Sequence, residues 1–481
     1  MPLQFPQLHD EDESKLIHNL TQYGLSKGLI MYPISYQEYQ VNLAPLTLFP
    51  TPFPRSQFEK AKSLATAYSE LYANVVSQHD WLINVIEALA PVDSSFTGML
   101  YQSYLKAQKK GIVQPISLGI ARSDYMYDTT TQQIKQVEFN TVSVSFAGLS
   151  RCVGQLHKFC NDNGLYTSNG DAYYDDSDLP VSDSSLGLAR GLRDGVSCYE
   201  AHHTDGYTKT IVLFVIQPNE RNAFDQRAIE YTLFDDFGIV SKRIDLARVT
   251  SEVVVDEISH RLYYEGREVS VVYYRSGYSP HDFEVKEAWD CRVLLETTLA
   301  IKCPSLLAQL SGAKKIQQLL TDESILAKFY DKQDKSELHS TFCKIYPLDD
   351  SARAAAAKKL AFECPENFVL KPQREGGGNN IYKEDIPGFL RSIPEEEWSG
   401  YILMELIHPP VQKNILLRDG QLAKDGIVSE LGIYSSFLFN EYSGEMINAA
   451  YQGYLLRSKI SSSNEGGVAA GYGCVDSIYL Y

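Results

Sequence analysis

Apolar residues recur at helical spacing from Ser56 to Ala90, where Phe58, Leu64, Tyr68, Leu71, Val75 and Leu82 form one stripe after a serine placed to cap the first turn. The first hundred residues therefore read as mainly helical. Between Leu118 and Asn140 the period shortens to two, and two extended runs flank the polar segment Asp128 to Gln133, which is the pattern of a hairpin. Thr167 to Ser185 has no period and is rich in Asp, Ser, Gly and Tyr, so an exposed loop with little regular structure is expected there. Ile211 to Gln217 is a continuous apolar run of the buried-strand type. Gln226 to Phe234 reads as helix, Val253 to Val255 and Val269 to Arg275 as strands, and Glu284 to Leu299 as helix. This alternation predicts a mixed α/β fold, with an inserted α/β domain over residues 207–312 and a core built from residues 1–206 and 313–481.

The most informative run is Asn367 to Tyr382, NFVLKPQREGGGNNIY. Phe368 to Leu370 are strand-like, Pro372 ends the ladder, and Lys371 and Arg374 are expected to project from the strand end. Gly376, Gly377 and Gly378 lack a Cβ, so their backbone can bring N–H groups close to phosphate oxygens, while Glu375 beside them can hold the metal that screens those oxygens. The run is neither a P-loop nor a dinucleotide fingerprint: no Gly-Lys-Ser/Thr follows it, and its glycines are not spaced G-x-G-x-x-G.

Composition narrows the partners. With 481 residues, 44% of them hydrophobic, the chain can bury a large core and more than one domain. Its formal charge of −17 disfavours nucleic acid and anionic membranes as partners, so anionic substrates must be met by cations gathered in a cleft. The eight cysteines form no C-x-x-C and no zinc pattern, which predicts free thiols in a reducing compartment. The acidic N-terminal stretch and the short apolar runs predict a cytoplasmic protein without a membrane span.

VLKPQREGGGNNIY resembles the glycine-rich lid of eukaryotic glutathione synthetases, which have the ATP-grasp fold. Further blocks agree in order along nearly the whole chain: ARSDYMYD from Ala121, QVEFNTVSVSF from Gln136, NERNAFDQRAIE from Asn219, YRSGY from Tyr274, GAKKIQQ from Gly312, YILMELI from Tyr401, SELGIY from Ser429, and LLRSK with EGGVAAG from Leu455 to Gly471. The resemblance implies an ATP-grasp core with a lid over about residues 366–405, and ligation of γ-glutamylcysteine to glycine with ATP and Mg²⁺ in a homodimer.

In QVEFNT, Glu138 and Asn140 alternate onto one strand face, a spacing that fits either a solvated face or two oxygen ligands for a hard cation. The resemblance implies the second, with Glu375 as third Mg²⁺ ligand. It also implies ATP contacts at Lys314, Lys371, Glu375, Gly376, Gly377, Asn380, Tyr382, Met404, Glu405, Leu406, Ile407, Glu430, Lys459 and Glu465. Lys315 adjoins Lys314, and the sequence does not choose between them. Glu465 stands where the family commonly has Asp. For the dipeptide the resemblance implies Arg122, Ser143, Ser145, Glu220, Asn222, Gln226, Arg275, Tyr278, Arg457, Val468 and Ala469, and it gives Arg122, Lys314, Lys371 and Arg457 the catalytic roles. Two other readings remain: a related ligase using another acceptor amine, such as β-alanine, and a catalytically silent ATP-binding protein.

Overall fold

The computed structural model describes residues 5–203, 209–373, 379–464, 466–468 and 471–481. The hairpin forms as its period predicts. Strand β1 (Ile116–Asp128) runs antiparallel to β2 (Gln133–Asn140), and the Asp128 carboxylate closes the turn by accepting from the Thr131 amide at 2.9 Å and hydroxyl at 2.8 Å.

Strand β1 is the seam of a mixed sheet with 15 strands among the described residues. On one side lie the parallel strands β3 (Ile211–Ile216), β4 (Arg267–Tyr274) and β5 (Ile301–Cys303), and β5 joins β1 in parallel at Lys302 and Ser117. The strands of residues 207–312 thus continue the large sheet. In β3, Val212 and Phe214 enter one core while Ile211, Leu213 and Val215 enter another. Burial on both faces explains the unbroken apolar run.

Residues 345–405 build a second, four-stranded antiparallel sheet in the order β6 (Ile345–Pro347), β9 (Tyr401–Glu405), β7 (Phe368–Pro372), β8 (Ile381–Tyr382). Leu348, Ala357, Leu370, Ile386 and Leu403 pack on one side with helices Ala352–Glu363 and Asp385–Ser392, while Ile345, Val369, Ile402 and Met404 pack together on the other. The chain then returns to the large sheet as β10 (Gly426–Asn440) and β11 (Met446–Ile460), both antiparallel to their neighbours; β10 lies against β1.

Two expectations are corrected. The stripe from Ser56 to Ala90 is broken into helices Arg55–Ser63, Ala65–Ser77 and His79–Leu89, and Ser56 lies inside the first turn after Pro54, with no side-chain cap at the N-terminus. The segment Thr167 to Ser185 is not simply exposed: Tyr174, Leu179, Ser182, Ser184 and Ser185 are buried, and helix Ser184–His203 has begun before it ends. Tyr174 meets Tyr166 edge-on and lies tilted against Tyr479, and that aromatic burial outweighs the segment's polar composition. The eight cysteines are unpaired, and Cys160, Cys291, Cys303 and Cys474 are buried. Among the described residues no helix is long and apolar enough to cross a membrane.

At the end of β10, Glu441 is buried and accepts from the Ser305 hydroxyl. Burial first, and the nearby Glu296 second, raise its pKa to about 7. A carboxyl raised in the folded state binds its proton more tightly there, so its contribution to stability falls as pH rises from about 4.3 toward 7. Glu441→Gln keeps an oxygen for Ser305 and removes this dependence. The variant should unfold at a higher temperature than the parent at pH 8, by roughly 3–4 kcal/mol of stability, and match it near pH 4. Thermal unfolding at the two pH values checks this.

Candidate active site

Cross-strand partners in an antiparallel ladder point to the same side of the sheet. The register places Glu138 and Gly432 opposite Asp124, Asn140 and Tyr434 opposite Arg122, and Arg457 opposite Glu430. One face of the neighbouring strands β2, β1, β10 and β11 therefore carries Glu138, Asn140, Arg122, Asp124, Glu430 and Arg457 together. It continues the face on which Leu118 and Ile120 are core.

Asp124, fully buried, is the centre of this lattice. Its Oδ1 accepts from Arg122 Nε at 2.6 Å, and its Oδ2 accepts from Arg122 Nη2 at 2.7 Å, Asn140 Nδ2 at 3.0 Å and Arg457 Nη2 at 3.1 Å. Arg457 also pairs with Glu430 across the ladder. Burial alone would disfavour the Arg122 cation, but Asp124 overrides it and holds the guanidinium pKa above its ordinary value. The third nitrogen, Nη1, donates to the Ser145 carbonyl at 3.3 Å.

Next to this lattice, β2 has a bulge: Glu138 and Gln136 face consecutive residues of β1, and Val137 is the extra one. The bulge leaves the Val137 carbonyl free of the ladder, and it accepts from Lys371 Nζ at 3.1 Å and Gln317 Nε2 at 3.3 Å. Glu138 pairs with Lys314 at 2.6 Å. Burial raises the Glu138 pKa, yet Lys314 and then Lys371 outweigh it and hold the carboxyl well below the usual range. Lys371 is lowered: burial acts first, Glu138 partly restores it, and Lys314 lowers it further. Lys315 points elsewhere, to Asp349 at 2.8 Å, so of the two adjacent lysines Lys314 is the one in this cluster.

Several of the candidate dipeptide residues are joined through Ser145 or lie beside Asp225. Arg275, buried at the carboxyl end of β4, donates to Ser145 Oγ at 2.7 Å and to the Val144 carbonyl at 2.5 Å, so Ser145 touches both Arg122 and Arg275. Ser143, with φ of 52°, donates to the Tyr274 carbonyl at 3.1 Å. The loop is anchored by Asp225, whose carboxylate accepts from the amides of Phe146, Gly148 and Leu149 at the start of helix Ala147–Asp162. The Asn222 side chain donates to the same carboxylate at 3.4 Å, Glu220 accepts from the Asn222 backbone N–H at 2.7 Å, and Gln226 accepts from Arg243 at 2.8 Å. Two buried atoms of this set, Arg275 Nε and Asn222 Oδ1, have no hydrogen-bond partner among the described residues. An unmet buried polar atom costs about 1–3 kcal/mol, and a bound ligand would meet that cost. Tyr278 lines a pocket with Phe96, Gln309, Lys314 and Gln373, which links the two halves of the site.

The remaining candidates are more dispersed. Met404 is buried on the face of the small sheet away from its helices, with Leu406 and Ile407 beside it. The amides of Glu405 and Leu406 donate to the carbonyls of Lys344 and Asn367, and the Glu405 carboxylate accepts from Tyr346 at 2.9 Å. Asn380 donates to the Tyr382 hydroxyl at 3.3 Å, Lys459 to the Asn464 carbonyl at 2.6 Å, and Val468 is buried in the core. Glu375, Gly376, Gly377, Glu465 and Ala469 lie outside the described residues.

Among the described residues no cluster of three His, Cys, Asp or Glu stands ready for a metal. Two oxygen donors nevertheless fit Mg²⁺. Glu138 is held ionised, and the Asn140 amide nitrogen is committed to Asp124 and to the Arg122 carbonyl at 3.2 Å, so its oxygen faces away from both. Sequence reasoning missed Asp124 and Asp225. Asp124 was within reach, because it sits two residues from Arg122 on a strand and so shares its face. Asp225 had no such signal, since its targets lie 76 to 79 residues away.

Two lysines and a depressed carboxylate thus lie beside two arginines on one face of the large sheet, a gathering of cations of the kind an anionic substrate needs. Residues 10–480 match the family described as eukaryotic glutathione synthase, ATP binding domain. The chain is 40% identical to glutathione synthetase large chain of Schizosaccharomyces pombe, over 95% of this chain and 96% of that one. It is 35% identical to glutathione synthetase of Rattus norvegicus, over 98% of each. Among solved structures, a glutathione synthetase like-effector from Globodera pallida superposes with a TM-score of 0.77 at 21% identity, covering 99% of this chain and 100% of that one. The fold is thus the mixed α/β fold of glutathione synthetase-like, ATP-grasp proteins. The chain belongs to the eukaryotic glutathione synthetase family, and its activity is that of a glutathione synthetase, an ATP-dependent ligase.

Proposed function

We propose that the charged strand face is where this ligase activates γ-glutamylcysteine, and that Lys314 and Lys371 receive the phosphates of ATP. The convergence of both lysines on Glu138 and the Val137 carbonyl carries this reading. The cysteinyl carboxylate oxygen attacks the γ-phosphorus, the bond to ADP breaks, and an acyl phosphate forms. The glycine amine then attacks the acyl carbon, phosphate leaves with the C–O electrons, and the amine loses its proton. The lysines stay near the phosphoryl group as its charge moves to the acyl phosphate and then to free phosphate. Glu138 and Asn140, with Glu375, would hold Mg²⁺, which neutralises phosphate charge when bound.

Arg122 and Arg275, joined through Ser145, would bind the dipeptide with Ser143, Glu220, Asn222, Gln226 and Tyr278, and Arg457 would meet a carboxylate of dipeptide or glycine. Met404 to Ile407 with Glu430 would hold adenine and ribose against the small sheet, and residues 366–405 would close over them and exclude water. The inserted unit at 207–312 supplies the dipeptide arm. A cytoplasmic homodimer is the form we expect; a monomer mass by sedimentation would remove the dimer.

Mass identification of the product from γ-glutamylcysteine, ATP, Mg²⁺ and competing glycine and β-alanine tests the acceptor. Glutathione should dominate. A preference for the β-alanine product would reassign the acceptor, and no product from either would support a silent binding protein.

A further inference from the structure

We infer that Asp124 is a positioning residue that orients the cation-facing oxygen of Asn140 and holds Arg122 and Arg457 in register, so that one carboxylate couples the metal and dipeptide halves of the site. The inference rests on the reading of Asn140 as a metal ligand. A side-chain amide has one oxygen and one nitrogen, and which faces the metal is decided by what the other meets. Here both neighbours of the amide nitrogen, Asp124 Oδ2 and the Arg122 carbonyl, can only accept. The amide is therefore fixed with nitrogen toward β1 and oxygen away from it. The same Oδ2 lies between two guanidinium groups that would repel each other without it, and each donates to it within 3.1 Å.

The backbone makes room for this arrangement. Gly432 on β10 lies directly across from Asp124, and a Cβ there would come within 2.8 Å of Asp124 Oδ1 and 2.7 Å of Arg122 Cδ. The glycine lets the ion pair lie close against the strand.

The test is Mn²⁺ affinity by electron paramagnetic resonance, with a non-hydrolysable ATP analogue present, together with calorimetric affinity for γ-glutamylcysteine. Asp124→Asn has one acceptor oxygen where the carboxylate has two, and no charge to separate the arginines. Both affinities should fall, that for Mn²⁺ by about ten- to hundredfold, as expected when the partner that orients a ligand is lost. Asn140→Ala is measured beside it. If that variant binds Mn²⁺ normally, the metal reading fails; if it binds weakly while Asp124→Asn binds normally, only the positioning role is overturned. Should Asp124→Asn fail to fold, Gly432→Ala displaces the carboxylate without removing its charge. It should weaken Mn²⁺ at least about threefold, and an unchanged affinity would overturn the inference.

Discussion

Glu138→Gln should lower turnover at saturating ATP by at least about a hundredfold while leaving a folded protein. The residue is a fixed anion and not a proton donor, because Lys314 and Lys371 keep its carboxyl ionised far below neutral pH. Glutamine has nearly the same shape but brings no charge to the cation and nothing to offset two neighbouring ammonium groups. The pH dependence separates this from simple loss of packing. A carboxyl depressed in the folded state contributes stability above its unfolded pKa of about 4.3, and that contribution is lost as pH falls toward the folded value. The gap in unfolding temperature between parent and variant should be widest above about pH 5 and narrow on acidification. Turnover that is unchanged across a magnesium titration would remove Glu138 from the metal site.

The parts of the site written into short strand segments were legible in the sequence, because a period of two is enough to say which side chains share a face. Glu138 and Asn140 were seen to share a face this way, while the choice of a metal site over a solvated face came from the family resemblance; the structure pairs Glu138 with Lys314 and sets Asn140 against Asp124 and the Arg122 carbonyl. The bulge at Val137 was not legible, since nothing in QVEF distinguishes a regular strand from one with an extra residue. Yet it is the bulge that turns a carbonyl toward Lys371. Boundaries of the parallel strands Ile211–Ile216 and Arg267–Tyr274 were close to those found, because such runs are buried on both faces and carry no competing signal, whereas the three-residue strand Ile301–Cys303 was not anticipated. The segment Thr167 to Ser185 misled because composition counts polar residues without knowing that Tyr166, Tyr174 and Tyr479 meet across more than three hundred residues. The continuity of one sheet through residues 207–312 was hidden for the same reason: a single pairing, Lys302 with Ser117, joins strands far apart in sequence.

Arg122→Lys should raise the requirement for γ-glutamylcysteine by about ten- to hundredfold, and the structure changes the reason. In the sequence Arg122 reads as a free fork awaiting a substrate carboxylate. In the fold two of its five N–H groups are spent on Asp124 and one on the Ser145 carbonyl. The substrate would meet what remains, held in a plane by Asp124. Lysine keeps the charge but has one nitrogen, so it cannot span both Asp124 oxygens and still reach Ser145. A charge-assisted hydrogen bond is worth about 1.5–3 kcal/mol, which gives the stated change in affinity. Because Arg122 is almost wholly buried, part of the loss should also appear as a lower unfolding temperature of the ligand-free protein. Affinity for a non-hydrolysable ATP analogue should stay within about twofold, since Lys314 is held by Glu138 and Lys371 by the Val137 carbonyl, while Arg122 is held by Asp124 and the Ser145 carbonyl. Calorimetry with each ligand separately decides it: weakened nucleotide binding with the dipeptide unaffected would place Arg122 on the other substrate.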